Sequence, residues 1–109
     1  KIFDHVNDIS TYFQQRAQKL SELDYVGEVR GVGLICGIEM VANKKTKSLF
    51  DPIGSAGKII AKECQDNGLI VRAIGDVIAL CPPLVINIAE IDELFDILEK
   101  SIKNSFEYL

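Results

Sequence analysis

The sequence predicts an α+β domain: a two-layer sandwich in which a small antiparallel sheet of about four strands is covered on one face by helices. Three observations predict it. Apolar residues recur every three or four positions at both ends of the chain, as in amphipathic helices. A β-branched stretch broken by glycines runs from Val26 to Val41. Two more short apolar stretches flank a turn between Leu69 and Cys81.

The first helix is marked by Ile2, Val6, Ile9, Phe13, Ala17, Leu20 and Leu23. Its other face carries Asp8, Gln14, Gln15, Arg16, Gln18 and Lys19, so it meets solvent on one side. Gly27, Gly31, Gly33 and Gly37 then rule out a helix, while Val29, Val32, Ile35, Ile38 and Val41 favour strands. Two strands, or one long bent strand, are expected, kinked around Arg30-Gly31-Val32-Gly33. Residues Asn43 to Pro52 read as a polar loop, disordered or lid-like. Ser55 is the expected N-cap of a second helix with Ala56, Ile59, Ile60 and Cys64 on one face. Asn67-Gly68 stops it, with Gly68 in the left-handed conformation.

Leu69 to Ala73 and Asp76 to Cys81 read as a hairpin turning at Ile74-Gly75. Pro82-Pro83 ends the pairing, because neither residue has a backbone N–H to donate. Asn87 to Glu90 has the form of a capping box. A last helix follows, with Ile91, Leu94, Phe95, Leu98, Ile102 and Phe106 in one stripe. All the helical stripes can dock on one sheet face, which leaves the other face free to meet something else.

With 109 residues, 48% hydrophobic and 26% charged, the chain has the size and composition of one soluble domain. A net charge of −4 argues against a nucleic-acid partner. Lys44, Lys45 and Lys47 read as a solvated loop. No apolar run is long enough to span a membrane. The three cysteines, Cys36, Cys64 and Cys81, form no C-x-x-C pair and sit in apolar stretches. They read as free buried thiols of a reducing compartment, the cytoplasm. With a single histidine, His5, neither a zinc site nor a cysteine–histidine pair is expected. The chain opens at Lys1, already inside a helical pattern, as a fragment does.

No complete active site emerges from the residues. Gly31-Val32-Gly33 resembles a phosphate loop, but no helix follows it to supply an N-terminus. Tight strand packing is the preferred role. Glu28, Arg30 and Glu39 read as strand charges. Arg72 stands out, a guanidinium within a mostly apolar strand and turn. It either pairs with Asp76 across the turn or grips an anion, and paired hydrogen bonds suit a carboxylate. Spacing alone favours the ion pair.

Three stretches in series resemble class III aminotransferases. Val29-Arg30-Gly31-Val32-Gly33-Leu34 with Gly37-Ile38-Glu39 is similar to that family's VRG-x-GL…GIE signature. Gly68-Leu69-Ile70-Val71-Arg72, Gly75-Asp76 and Pro82-Pro83-Leu84 are similar to its GL-x-x-R…GD…PPL stretch. Glu90-Ile91-Asp92 matches the E-I-D opening of its last helix. The resemblance covers nearly the whole chain.

It implies that residues 1–109 are the C-terminal small domain of a type I pyridoxal-phosphate enzyme. The parent would be a homodimer whose large domain supplies the Schiff-base lysine and the phosphate cup. It would move an amino group from an ω-amino acid or amine to a keto acid such as pyruvate. This chain alone would be inactive and would bind no cofactor. Lys58 and Lys62, on a plain surface helix, are not candidates for the lysine. Within the ω-amino-acid:pyruvate branch, Arg72 matches the arginine that receives the substrate carboxylate, which turns the preference toward that role. Two other readings remain: a free-standing domain that binds a small acid through Arg72, and a subunit-interaction module using the free sheet face.

Overall fold

The computed structural model describes residues 2–83 and 86–109, with side chains from residue 9 onward. The chain runs α1 (Ile2–Lys19), a short 3-10 turn (Leu20–Glu22), β1 (Val26–Val32), β2 (Ile35–Met40), α2 (Ser55–Asp66), β3 (Arg72–Ile74), β4 (Val77–Leu80) and α3 (Ile88–Ser105). The four strands form one antiparallel sheet in the order β1-β2-β4-β3. The expected α+β two-layer sandwich is what the chain adopts.

Both hairpins close through two-residue loops. Gly33 (φ 60°) leads the first and Gly75 (φ 60°) the second. Positive φ at the first loop position alone is the sign pattern of a type II′ turn, which glycine favours. The second turn is therefore Gly75-Asp76, one residue later than expected. β3 is correspondingly shorter, because residues 69–71 are not paired.

Alternation along the strands splits the sheet into two faces. Val29, Cys36, Ile38, Met40, Ile78 and Leu80 point into the core beneath the helices. Phe13 and Phe95 meet edge-on above them, with centroids 5.1 Å apart and ring planes at 64°. Burial pushes the Cys36 thiol up to about 12 and also raises Cys64. Cys81 is exposed, contrary to the expectation of three buried thiols. Because the thiolate is the reacting species, iodoacetamide at pH 8 is expected to modify Cys81 alone in the folded chain and all three cysteines after denaturation. Mass spectrometry of the alkylated chain checks this, and rapid native modification of Cys36 would contradict its burial.

The polar side of α1 is not simply solvated. The Gln14 side-chain amide donates to the carbonyls of Gly33 (2.9 Å) and Ile35 (3.1 Å), and that of Gln18 donates to Val29 (3.0 Å). Arg16 donates to Asp92 (2.5 Å) and Asp96 (2.8 Å) on α3. The Tyr12 hydroxyl also donates to Asp92. Against partial desolvation, Tyr12 first and then Arg16 hold the Asp92 carboxyl below its ordinary value of 3.8. α1 is thus fastened to the first hairpin by amides and to α3 by charge.

The loop after β2 is tied down as well. Lys44 donates to the carbonyls of Ser21 (2.6 Å) and Leu23 (3.0 Å), and Lys47 to that of Gly27 (2.5 Å). Phe50 is buried against Tyr25, whose ring also meets Phe106. The expectation of a disordered or lid-like segment is overturned, because a buried aromatic ring and lysine–carbonyl bonds anchor both of its ends.

α3 begins as expected. Asn87 Oδ1 accepts from the Glu90 N–H (2.8 Å) and Glu90 Oε1 accepts from the Asn87 N–H (3.0 Å), a complete capping box. α2 does not. Ser55 is its first residue rather than its cap, and Gly54 (φ 94°) stands at the cap position with no side-chain bond. The missing acceptor is supplied from a distance by Asp76.

Candidate functional site

The sheet face turned away from the helices carries the candidate site. Directly opposed residues share a face, so register builds two rows across all four strands. One row runs Glu28, Glu39, Val77 and Ile74. The other runs Arg30, Gly37, Ala79 and Arg72. The two arginines thus stand at opposite ends of a row whose middle positions are small.

Arg30 is neutralised locally. Its guanidinium lies 3.6 Å from Glu28 and 3.9 Å from Glu39, so these three charges form a surface cluster. Arg72 is different. It is exposed, on the three-residue edge strand β3, beside the exposed Ile74. No carboxylate among the described residues pairs with it. A groove of about 250 Å³ lies between the end of β4 and α3, lined by Ile70, Ala79, Leu80, Cys81, Pro82 and Leu94, and includes no residue of β3. A second concavity, of about 610 Å³, lies between α1 and Gly33 and does not include Arg72.

The pairing of Arg72 with Asp76, which spacing favours, is overturned. Asp76 is only 7% exposed and turns toward α2. Its Oδ2 accepts from the Gly54 N–H (2.9 Å) and its Oδ1 from the Gly57 N–H (2.9 Å). A carboxylate at a helix N-terminus satisfies orphan donors and complements the helix dipole. The approach is close: a Cβ on Gly57 would stand 2.1 Å from the Gly75 carbonyl oxygen. Sequence reasoning missed both Asp76 and Gly57 in these roles. The available signal was a carboxylate beside a turn glycine, with a glycine, Gly54, directly before Ser55.

The remaining motif residues find structural work. Gly31 sits where a Cβ would meet the Ile35 carbonyl at 2.6 Å, so close strand packing is its role, while Gly33 serves the turn, and a strand, β2, follows the loop. Glu90 closes the capping box, Ile91 is fully buried, and Asp92 holds α1. Leu84 lies outside the described residues, as does the side chain of His5.

The profile of class-III aminotransferases matches residues 1–102. The chain belongs to the class-III aminotransferase family. It is 42% identical over 103 residues to a putrescine–pyruvate aminotransferase of Pseudomonas aeruginosa, covering 94% of this chain and 22% of that protein. It is 37% identical over 102 residues to the mitochondrial gamma aminobutyrate transaminase 1 of Solanum lycopersicum, covering 94% and 20%. Its backbone matches a transaminase solved with L-alanine at a TM-score of 0.94 and 38% identity, over 98% of this chain and 25% of the other. It matches the PMP-bound form of a Vibrio fluvialis aminotransferase at 0.92 and 36%, over 97% and 24%. The chain therefore spans about a fifth to a quarter of these class-III relatives.

Class-III aminotransferases use pyridoxal phosphate, which requires a lysine amine and a partner for the ring nitrogen. Among the described residues no lysine is sheltered and no buried carboxylate is uncommitted. Every lysine among the described residues is exposed. Lys62 faces Asp66 at 3.5 Å, and Lys44 and Lys47 are spent on carbonyls. The buried carboxylate, Asp76, has both oxygens committed to α2. Among the described residues no helix is long and apolar enough to cross a membrane.

Proposed function

We propose that residues 1–109 are the C-terminal small domain of a class-III aminotransferase that moves an amino group from an ω-amino acid or amine to a keto acid such as pyruvate. The rest of the parent protein holds pyridoxal phosphate, which supplies the electron sink for the transfer. This domain closes one side of the active site, in a homodimer, and Arg72 receives the substrate carboxylate. Free buried thiols at Cys36 and Cys64 fit a reducing compartment such as the cytoplasm.

One observation carries the role of Arg72. It is an exposed guanidinium at the edge of the helix-free face, and the carboxylate nearest in sequence is bound elsewhere. A planar fork of donors with no carboxylate partner among the described residues is suited to grip an incoming carboxylate with two parallel bonds. The exposed Ile70 and Ile74, two positions either side of Arg72, offer apolar surface to an aliphatic chain.

The test compares substrates with and without a carboxylate in the full-length enzyme. Arg72→Ala removes a charge-assisted hydrogen-bond partner, worth roughly 1.5–3 kcal/mol. The kcat/KM for an ω-amino acid is expected to fall about 10- to 100-fold more than that for a plain amine. Equal losses for the two classes would reject the clamp and leave Arg72 a structural residue.

A further inference from the structure

We propose that Asp76 is a positioning residue for carboxylate recognition, acting on Arg72 through the hairpin turn that it anchors. This rests on the reading of Arg72 as the clamp. β3 is three residues long and pairs only with β4, so its outer edge has no neighbouring strand. β4 is held along its length by β2, and the turn that joins it to β3 is held separately. The Asp76 carbonyl accepts from the Met40 N–H on β2 at 2.9 Å. Its side chain accepts from Gly54 and Gly57 at the start of α2, each at 2.9 Å. One residue thus joins the turn to the sheet and to a helix at once.

Arg72 lies four positions before this anchor, on the same hairpin. Its side chain is long and exposed, so the place where its guanidinium can act is set by its backbone. Small displacements of a binding group cost rate out of proportion to their size. Loosening the turn from α2 should therefore weaken the grip on a carboxylate before it affects a substrate that has none.

Asp76→Asn keeps the shape of the side chain but leaves one acceptor oxygen for two N–H donors. In the full-length enzyme the ratio of kcat/KM for an ω-amino acid to that for a plain amine is expected to fall about tenfold, the equivalent of weakening one charge-assisted bond. Asp76→Glu, which retains both acceptors one methylene further out, should recover part of the ratio. In an Arg72→Ala background, Asp76→Asn should leave the ratio where Arg72→Ala alone put it. A ratio unaffected by Asp76→Asn, or an Asp76 effect that persists without Arg72, would overturn the positioning role. Should Asp76→Asn fail to fold, Asp76→Glu carries the same comparison. If Arg72→Ala alone leaves the ratio intact, the clamp reading fails and this inference with it. If Arg72→Ala shifts the ratio and Asp76→Asn does not, the clamp stands and only the positioning role falls.

Discussion

Replacing Phe95 with alanine is expected to destabilise the fold by about 3–5 kcal/mol, the usual range for emptying a buried aromatic site. Phe95 is 1% exposed and lies at the junction of α1, α3 and the sheet. Its ring packs against that of Phe13 with centroids 5.1 Å apart, and the Arg16 guanidinium stands 5.6 Å from its centroid. Truncation removes both contacts and leaves a void that the clasp of Arg16 on Asp92 and Asp96 prevents α1 from filling. Since a domain's whole stability is about 5–15 kcal/mol, urea unfolding should show a midpoint far below wild type at an unchanged m-value. The Phe13→Ala, Phe95→Ala double variant should lose less than the sum of the singles, by about 0.5–1.5 kcal/mol for the ring pair. A loss under about 1.5 kcal/mol for Phe95→Ala would mean that this layer is not close-packed.

The legible parts of this fold are those written in neighbouring residues. The capping box of α3 needs only Asn87 and Glu90, three positions apart, and both bonds form. The stripe of Ile91, Phe95, Leu98 and Ile102 is buried, as its spacing demands. The kink expected around Arg30 to Gly33 is a hairpin turn at Gly33-Leu34, just past the end of β1, where Gly33 takes a positive φ without strain. Strand order was not legible, because alternation gives the face of a strand but not its neighbour. Nothing in the sequence of β2 says that it pairs with β4 across an intervening helix.

The candidate site was less legible, for the same reason. Ser55 has the right chemistry for an N-cap, but the chain reaches it from Gly54 at φ 94° and the side chain makes no cap bond. The acceptor that α2 uses comes from Asp76, 19 positions beyond Gly57. Local propensity cannot report a bond between residues that only the fold brings together. The same bond removes the ion pair that spacing offered Arg72. Arg72 reached its functional reading through resemblance to a family, and the geometry contributes its exposure and its lack of a carboxylate partner among the described residues.

Gly57→Ala separates local propensity from tertiary fit. In an isolated helix the change favours stability, since alanine exceeds glycine by about 1 kcal/mol. Here the added Cβ would lie 2.1 Å from the Gly75 carbonyl oxygen, with Ala73 Cβ at 3.4 Å on its flank. The obstacle is backbone, not the far end of a flexible side chain. It cannot simply retreat, because Gly75 belongs to a two-residue turn whose next residue holds the Gly57 and Gly54 N–H groups. Relief requires the turn to lift from α2, which stretches both bonds to Asp76 and opens the contact with Ala73. Overpacking of this kind costs roughly 1–3 kcal/mol, and the strain on two bonds to a carboxylate places this site at the upper end. A net loss of about 2–3 kcal/mol in urea unfolding is therefore expected, against the sign that propensity alone gives. A stabilised Gly57→Ala variant would show that α2 and the β3–β4 turn do not pack at this distance, and the anchoring of Arg72 through Asp76 would lose its structural basis.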